Sequence, residues 1–241
     1  MIPGRRAAAL AGAALFFCAF VALGTWQLER RVWKLALIER VQERVHAPPV
    51  PAPPPAEWPR VDRPHDEYRH VGASGVFLDD AETLVQATTE MGAGYWVLTP
   101  LRLGDGSTLL VNRGFVAPEE RGLAAHGAAP AGLTAVNGLL RLTEPEGAWL
   151  RRNDPAANRW YSRDVQAIAR ARHLRNVAPY FIDADARPDA RSDAAAARAP
   201  VGGLTVISFY NNHLVYAITW YTLALMIPLG LWLGIRERPS T

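Results

Sequence analysis

The chain is apolar at both ends and alternating in between. No charge interrupts the run from Ala7 to about Trp26, and none interrupts Leu214 to Ile235. About 20 apolar residues, at 1.5 Å of helix rise each, span the roughly 30 Å hydrocarbon core of a bilayer. Both segments therefore read as transmembrane helices, over 7–27 and 213–235. Beyond the first, helical spacing continues through Leu28, Val32, Leu35 and Ile38 with charges between them, which predicts an amphipathic stalk over 28–46. Ala47 to Arg60 then contains seven prolines and reads as a semi-rigid linker of polyproline type, 47–60.

From Tyr68 the period changes to that of strands. Tyr68–Phe77, Thr83–Thr88, Tyr95–Leu103, Thr108–Val116, Leu133–Leu142, Ala178–Ala184 and Gly203–Tyr210 alternate or are rich in β-branched residues, with Gly104-Asp105-Gly106 as a hairpin turn. One helix is predicted at about Asp164–His173, capped by Asp164. The stretch 185–202, rich in Ala, Arg, Asp and Pro, reads as a disordered surface loop. The fold class that follows is a membrane protein with two transmembrane helices flanking a β-rich α+β extramembrane domain, 61–212, and short tails at 1–6 and 236–241. The last strand is expected to end close to His213 and hold it near the domain.

Charge adds less. The net charge is +3, but Arg residues alternate with Asp and Glu in no basic run longer than two, so no nucleic-acid partner is implied. Arg5-Arg6 before an apolar run could head a cleavable export signal, yet the run exceeds an h-region of about 7–15 residues and continues as helix, so it reads as a permanent anchor. The tails carry Arg5, Arg6, Arg236 and Arg238, which suits the cytoplasm. Arg30, Arg31, Lys34, Arg40 and Arg44 beyond the first span compete for the same side, so charge leaves the orientation open. The single cysteine, Cys18, lies inside the first span, and the domain has neither a disulfide nor a thiolate for a metal.

Catalytic signatures are lacking. No G-x-S-x-G, H-E-x-x-H, Walker loop or dinucleotide fingerprint occurs. Glu144, Asp154, Asp164 and Asp183 read as turn and cap residues, not as an acid/base pair. His65, His70, His126 and His173 lack ligand spacing and read as surface histidines. His213 stands apart at the mouth of the second span, level with Gln27 on the first, with Tyr216 and Trp220 at +3 and +7 on the same helix face. A neutral imidazole above flat aromatic walls suits an axial haem ligand. The alternative is a histidine bonded to Asn211, Asn212 or lipid headgroups within an ordinary aromatic belt, and residue chemistry alone favours it.

Four stretches taken together change that balance. Gly24-Thr25-Trp26-Gln27-Leu28-Glu29-Arg30 with Trp33-Lys34, then Val111-Asn112-Arg113-Gly114-Phe115-Val116, then Asn153-Asp154-Pro155 with Asn158-Arg159-Trp160-Tyr161 and Asp164, and finally Asn211 to Trp220, resemble the surfeit-locus-one family of cytochrome c oxidase assembly proteins. The likeness covers both spans and most of the domain. It departs at Phe115, where the family usually has Trp, and in the linker and the Ala/Arg-rich loop.

The resemblance implies an assembly factor for haem–copper oxidase, not an enzyme, that binds haem a as cargo and assists its insertion into the large catalytic subunit. His213 is the matching iron ligand. Haem a synthase is a second candidate partner besides the oxidase subunit and membrane lipid. The resemblance further implies a domain on the outer side of an energy-transducing membrane. The absence of an Arg/Ser-rich presequence points to a bacterial inner membrane and a periplasmic domain in preference to a mitochondrion. On this reading Tyr216 and Trp220 wall the macrocycle, and Arg30, Arg31 and Lys34, one to two turns beyond Gln27, are placed to receive its propionates. The rival functions are a structural chaperone that never holds haem and a membrane enzyme of haem modification or redox chemistry. A small-residue face on the first span, Ala7, Gly12, Ala13, Ala19, Ala22 and Gly24, would let another helix approach, either the second span or the oxidase.

Overall fold

The computed structural model describes residues 3–122, 127–145, 147, 151–186, 199–205 and 211–236. They fall into two compact units, Met1–Gln42 with Ile207–Thr241, and Glu43–Val206. The elements in chain order are α1 (Pro3–His46), β1 (Val50–Pro51), α2 (Arg63–Asp66), β2 (His70–Phe77), β3 (Thr83–Thr89), β4 (Gly92–Leu103), β5 (Thr108–Val116), β6 (Leu133–Leu142), α3 (Val165–Ala171), β7 (Val177–Ala184) and α4 (His213–Arg236). Six of the seven predicted strands form within a few residues of their expected limits. Span and stalk are one continuous helix.

The second unit is a closed sheet. Its strand order is β1-β2-β6-β7-β5-β4-β3, and β2 also pairs with β4 through Gly75, Val76 and Phe77 opposite Leu103, Arg102 and Leu101. Five strands, β2, β6, β7, β5 and β4, thus make a barrel whose pairings are antiparallel except β5 with β7. Closure removes the open edges that a flat sheet would expose. Strand alternation sorts the side chains. Val71, Leu101, Leu109, Val111, Val136, Leu140, Tyr180 and Ile182, drawn from all five strands, fill the interior. Leu98, Leu110 and Phe181 point the other way and pack beneath Val85, Trp160 and the Val165 and Ile168 face of α3. Asp164 caps α3 by accepting from the Ala167 amide. The β4–β5 turn is held by Asp105, which accepts from the Ser107 amide and hydroxyl at 2.8 and 2.6 Å.

The proline-rich stretch differs from the expected tether. β1 pairs in parallel with β2, Ala52 donates to the Gly72 carbonyl, and Ala52, Trp58 and Val61 pack against the barrel interior. Proline lacks an N–H but keeps its carbonyl. The Pro53 oxygen accepts both Trp58 Nε1 at 3.1 Å and the buried Tyr180 hydroxyl at 2.8 Å. Burial pushes the Tyr180 hydroxyl pKa well up, so it stays a donor. The strand expected at 203–210 is not present over 203–205, and 206–210 lies outside the described residues, as does most of the loop 185–202.

His70 is more than a surface histidine. Its Nδ1 lies 2.7 Å from the Ala47 carbonyl, just past the end of α1, and its Nε2 lies 2.8 Å from Asp185 Oδ2 beyond β7. Both partners are acceptors, so both ring nitrogens donate only when the imidazole is charged. Burial lowers its pKa, but the Ala47 and Asp185 bonds outweigh it and the net shift is upward. A raised folded-state pKa gives stability that is complete below about 6.5, the unfolded value, and is lost as pH rises through the folded value. Thermal unfolding of the detergent-solubilised protein is expected to show a higher midpoint at pH 5.5 than at pH 8, relative to His70→Gln. A pH-independent difference between the two proteins would remove the clasp.

Candidate functional site: the paired apolar helices

α1 and α4 are each long and apolar enough to cross a membrane. In such a setting backbone and hydroxyl groups need internal partners. Thr219 and Thr222 donate to the Val215 and Ile218 carbonyls one turn back, at 2.9 and 2.8 Å.

The two helices meet along a narrow seam. On α4 it runs through His213, Ala217, Trp220 and Ala224, spaced at +4, +7 and +11, with the two alanines only 1 and 2 % exposed. On α1 it runs through Phe20, Gly24 and Gln27. Phe20 and Trp220 stack with centroids 5.7 Å apart. Gly24 admits the Tyr221 ring so closely that a Cβ would sit 2.8 Å from it. Thr25 Oγ1 donates to the Val21 carbonyl, so at its 3.1 Å contact with the Tyr221 hydroxyl the tyrosine is the donor.

At the top of the seam His213 Nδ1 lies 2.8 Å from Gln27 Oε1. Since an amide oxygen only accepts, Nδ1 is the donor in this contact, and in the neutral ring that leaves the lone pair on Nε2. Among the described residues no hydrogen bond is made by Nε2. The partner is therefore Gln27, not Asn211 or Asn212. The Asn211 side-chain oxygen is itself buried without a partner, and the Asn212 carbonyl starts α4 by accepting from the Tyr216 amide.

The other expected site residues separate. Trp220 lies nearly beneath His213 but faces Phe20, whereas Tyr216 is 54 % exposed. Arg31 and Lys34 follow Gln27 at +4 and +7 and share its face of α1. Arg30 lies off that face, its guanidinium 4.0 Å above the Trp33 ring. Of the two glycines in the small-residue face, Gly24 meets α4 closely, while a Cβ on Gly12 would touch nothing within 4 Å.

The barrel holds a second polar cluster, around Asp183 at 4 % exposure. Its Oδ1 accepts from Asn112 Nδ2 at 2.8 Å and from Arg163 at 3.0 Å. Its Oδ2 accepts from Arg141 and from Thr205, both at 3.0 Å. Glu144 pairs with Arg163, and Glu67 with Arg141 at 2.9 Å. Burial disfavours charge on both arginines, but Asp183 and the glutamates outweigh it and raise their pKa values. Asp183 thus sits in a strand and not in a turn. With its carboxylate committed to four donors, it has no free lone pair for base catalysis. Asp154 does hold a turn, accepting from the Ala157 amide and from Arg159.

A family model described as the SURF1 family matches residues 14–225. The chain belongs to the SURF1 family. It is 35 % identical over 227 residues to human Surfeit locus protein 1, covering 84 % of this chain and 69 % of that one. It is 36 % identical over 225 residues to the mouse protein, covering 83 and 67 %. A SURF1-like protein of Monosiga brevicollis is 36 % identical over 231 residues, covering 90 and 83 %.

In this SURF1-family chain the two middle motifs build the barrel. Asn112 joins β5 to Asp183 and accepts from the Gly114 amide. Asn153 accepts from the Tyr161 and Ser162 amides, and Asn158 orients the Trp160 indole beneath α3. The first and last motifs meet through Gln27 and His213, and each also reaches one residue beyond the other, Gly24 and Thr25 against Tyr221 and Trp220 against Phe20. Sequence reasoning missed Phe20 and Tyr221 as seam residues, and it missed the Asp183 cluster. The one signal for the cluster is an aspartate within the otherwise apolar strand Tyr180 to Ala184.

Proposed function

We propose that this chain is a membrane-anchored assembly factor for haem–copper cytochrome c oxidase, which holds haem a through His213 and assists its insertion into the large catalytic subunit. The observation that carries the reading is the bond from His213 Nδ1 to Gln27 Oε1 at 2.8 Å. A histidine that ligates a metal through one nitrogen commonly donates its other N–H to a fixed oxygen. Among the described residues no three His, Cys, Asp or Glu side chains gather as ligands for a bare ion. Haem brings four nitrogen donors of its own and needs one from the protein.

The surroundings suit an amphipathic macrocycle. Apolar helix surface and the Phe20–Trp220 stack lie below His213, where an isoprenoid tail gains about 0.8 kcal/mol per buried CH₂. Arg31 and Lys34 follow Gln27 on the polar side and are better placed for propionates than Arg30. The chain performs no turnover on this reading, and family membership supports an assembly role. Its setting is a bacterial inner membrane with the barrel on the periplasmic side. The family resemblance supports that side for the barrel, since the cations of the tails and of the stalk compete in the charge count.

The test is the colour of the purified protein co-expressed with haem a synthesis. Wild type is expected to carry a haem a spectrum, and His213→Ala to be colourless while still extracted from the membrane fraction. Haem retained by His213→Ala with an unchanged spectrum would remove the ligand assignment. A colourless wild type that still co-purifies with the oxidase subunit would favour the chaperone reading.

A further inference from the structure

We infer that Gln27 is a positioning residue for the His213 site, setting which imidazole nitrogen is offered to a ligand. This rests on the haem reading above, although its first test needs no haem.

Free imidazole exchanges its proton between two nitrogens, and only the unprotonated one can bind iron. Two features of the helix pair select between them. The Gln27 oxygen faces Nδ1 at 2.8 Å, and an acceptor in that place admits only the Nδ1–H tautomer. The seam below fixes the height at which the two side chains meet. Gly24 lets Tyr221 against α1, Tyr221 donates to Thr25, and Phe20 stacks on Trp220, so the register of the helices is held about two turns from His213. The amide therefore fixes the proton while the packing fixes the ring. A glutamine at the edge of an apolar helix is otherwise costly, because its amide enters a region poor in partners.

Chemically, Gln27 is a neutral acceptor. It polarises the Nδ1–H bond less than a carboxylate would, leaving Nε2 a moderate donor. Such a ligand suits cargo that must be handed on, whereas a carboxylate would push electron density onto the ring and tighten the hold on ferric iron.

The experiment begins with ¹⁵N-histidine-labelled protein prepared without haem in detergent micelles. In wild type, His213 is expected to show a protonated Nδ1 and an unprotonated Nε2. In Gln27→Leu, which keeps the helix apolar, that preference is expected to disappear, and haem affinity to fall by about 10- to 100-fold, the usual cost of removing a ligand's outer hydrogen-bond partner. Gln27→Glu supplies a second variant that preserves the contact. It is expected to retain the Nδ1–H tautomer, bind haem at least as tightly and lower the reduction potential of the bound haem. An unprotonated Nδ1 in wild type overturns the inference. So does a Gln27→Leu protein with unchanged tautomer and affinity while His213→Ala is colourless, and that result leaves the ligand assignment standing. Haem retained unchanged by His213→Ala overturns both.

Discussion

Alanine in place of Asp183 is expected to destabilise the barrel by about 3–5 kcal/mol, the usual cost of removing one partner from a buried ion pair. Asp183 lies between two partly buried arginines, Arg141 on β6 and Arg163 ahead of α3, and each donates to it at 3.0 Å. Their remaining partners, Glu67 and Glu144, would balance the charge only in part. Asn112 would lose its acceptor, and Thr205 its anchor. Asp183→Asn tests the source of the effect. It keeps the volume and one oxygen but removes the charge, so most of the loss should remain. Urea unfolding of the detergent-solubilised protein measures both. A loss below about 1 kcal/mol, typical of exposed pairs, would mean that water screens the cluster.

Gly114→Ala is expected to cost about 1–3 kcal/mol by a different route. Gly114 has φ +134, a conformation that L side chains rarely adopt, and a Cβ there would overlap the Val201 carbonyl and the Gly202 amide. The neighbouring Phe115 exchanges two backbone hydrogen bonds with Val201, both 2.9 Å. A methyl group would either strain β5, at about 1–3 kcal/mol, or push the 199–205 segment away and sacrifice those two bonds, at about 1 kcal/mol each. Hydrogen exchange distinguishes the outcomes. Faster exchange of the Phe115 and Val201 amides alone marks a displaced segment, and unchanged exchange with an unchanged melting temperature would contradict the steric argument.

These two sites also mark how far the sequence could be read. Strand positions in the barrel were legible because the segments alternate or are rich in β-branched residues, whereas Leu109-Leu110-Val111 and Tyr180-Phe181-Ile182 are continuously apolar, so that only the structure decides which side chains point inward. The two apolar helices were legible from length alone, and His213 from being a polar ring at the lip of one of them. All of this is local, written in residues a few positions apart.

What only the tertiary structure decided involves partners distant in the chain. That the sheet closes depends on β2 meeting β4, a pairing that no period announces. The prolines of 47–60 looked like a spacer because their missing N–H groups are visible in the sequence, whereas the acceptor role of the Pro53 carbonyl depends on where Tyr180 lies. Glu67, Arg141, Glu144, Arg163 and Asp183 become one network only when β6, β7 and the chain ahead of α3 converge. Gln27 and His213 stand 186 positions apart. Their levels along the two spans could be matched by counting helix rise, but the bond between them depends on which faces the helices turn to each other, and that is set by the packing of Gly24, Phe20, Trp220 and Tyr221.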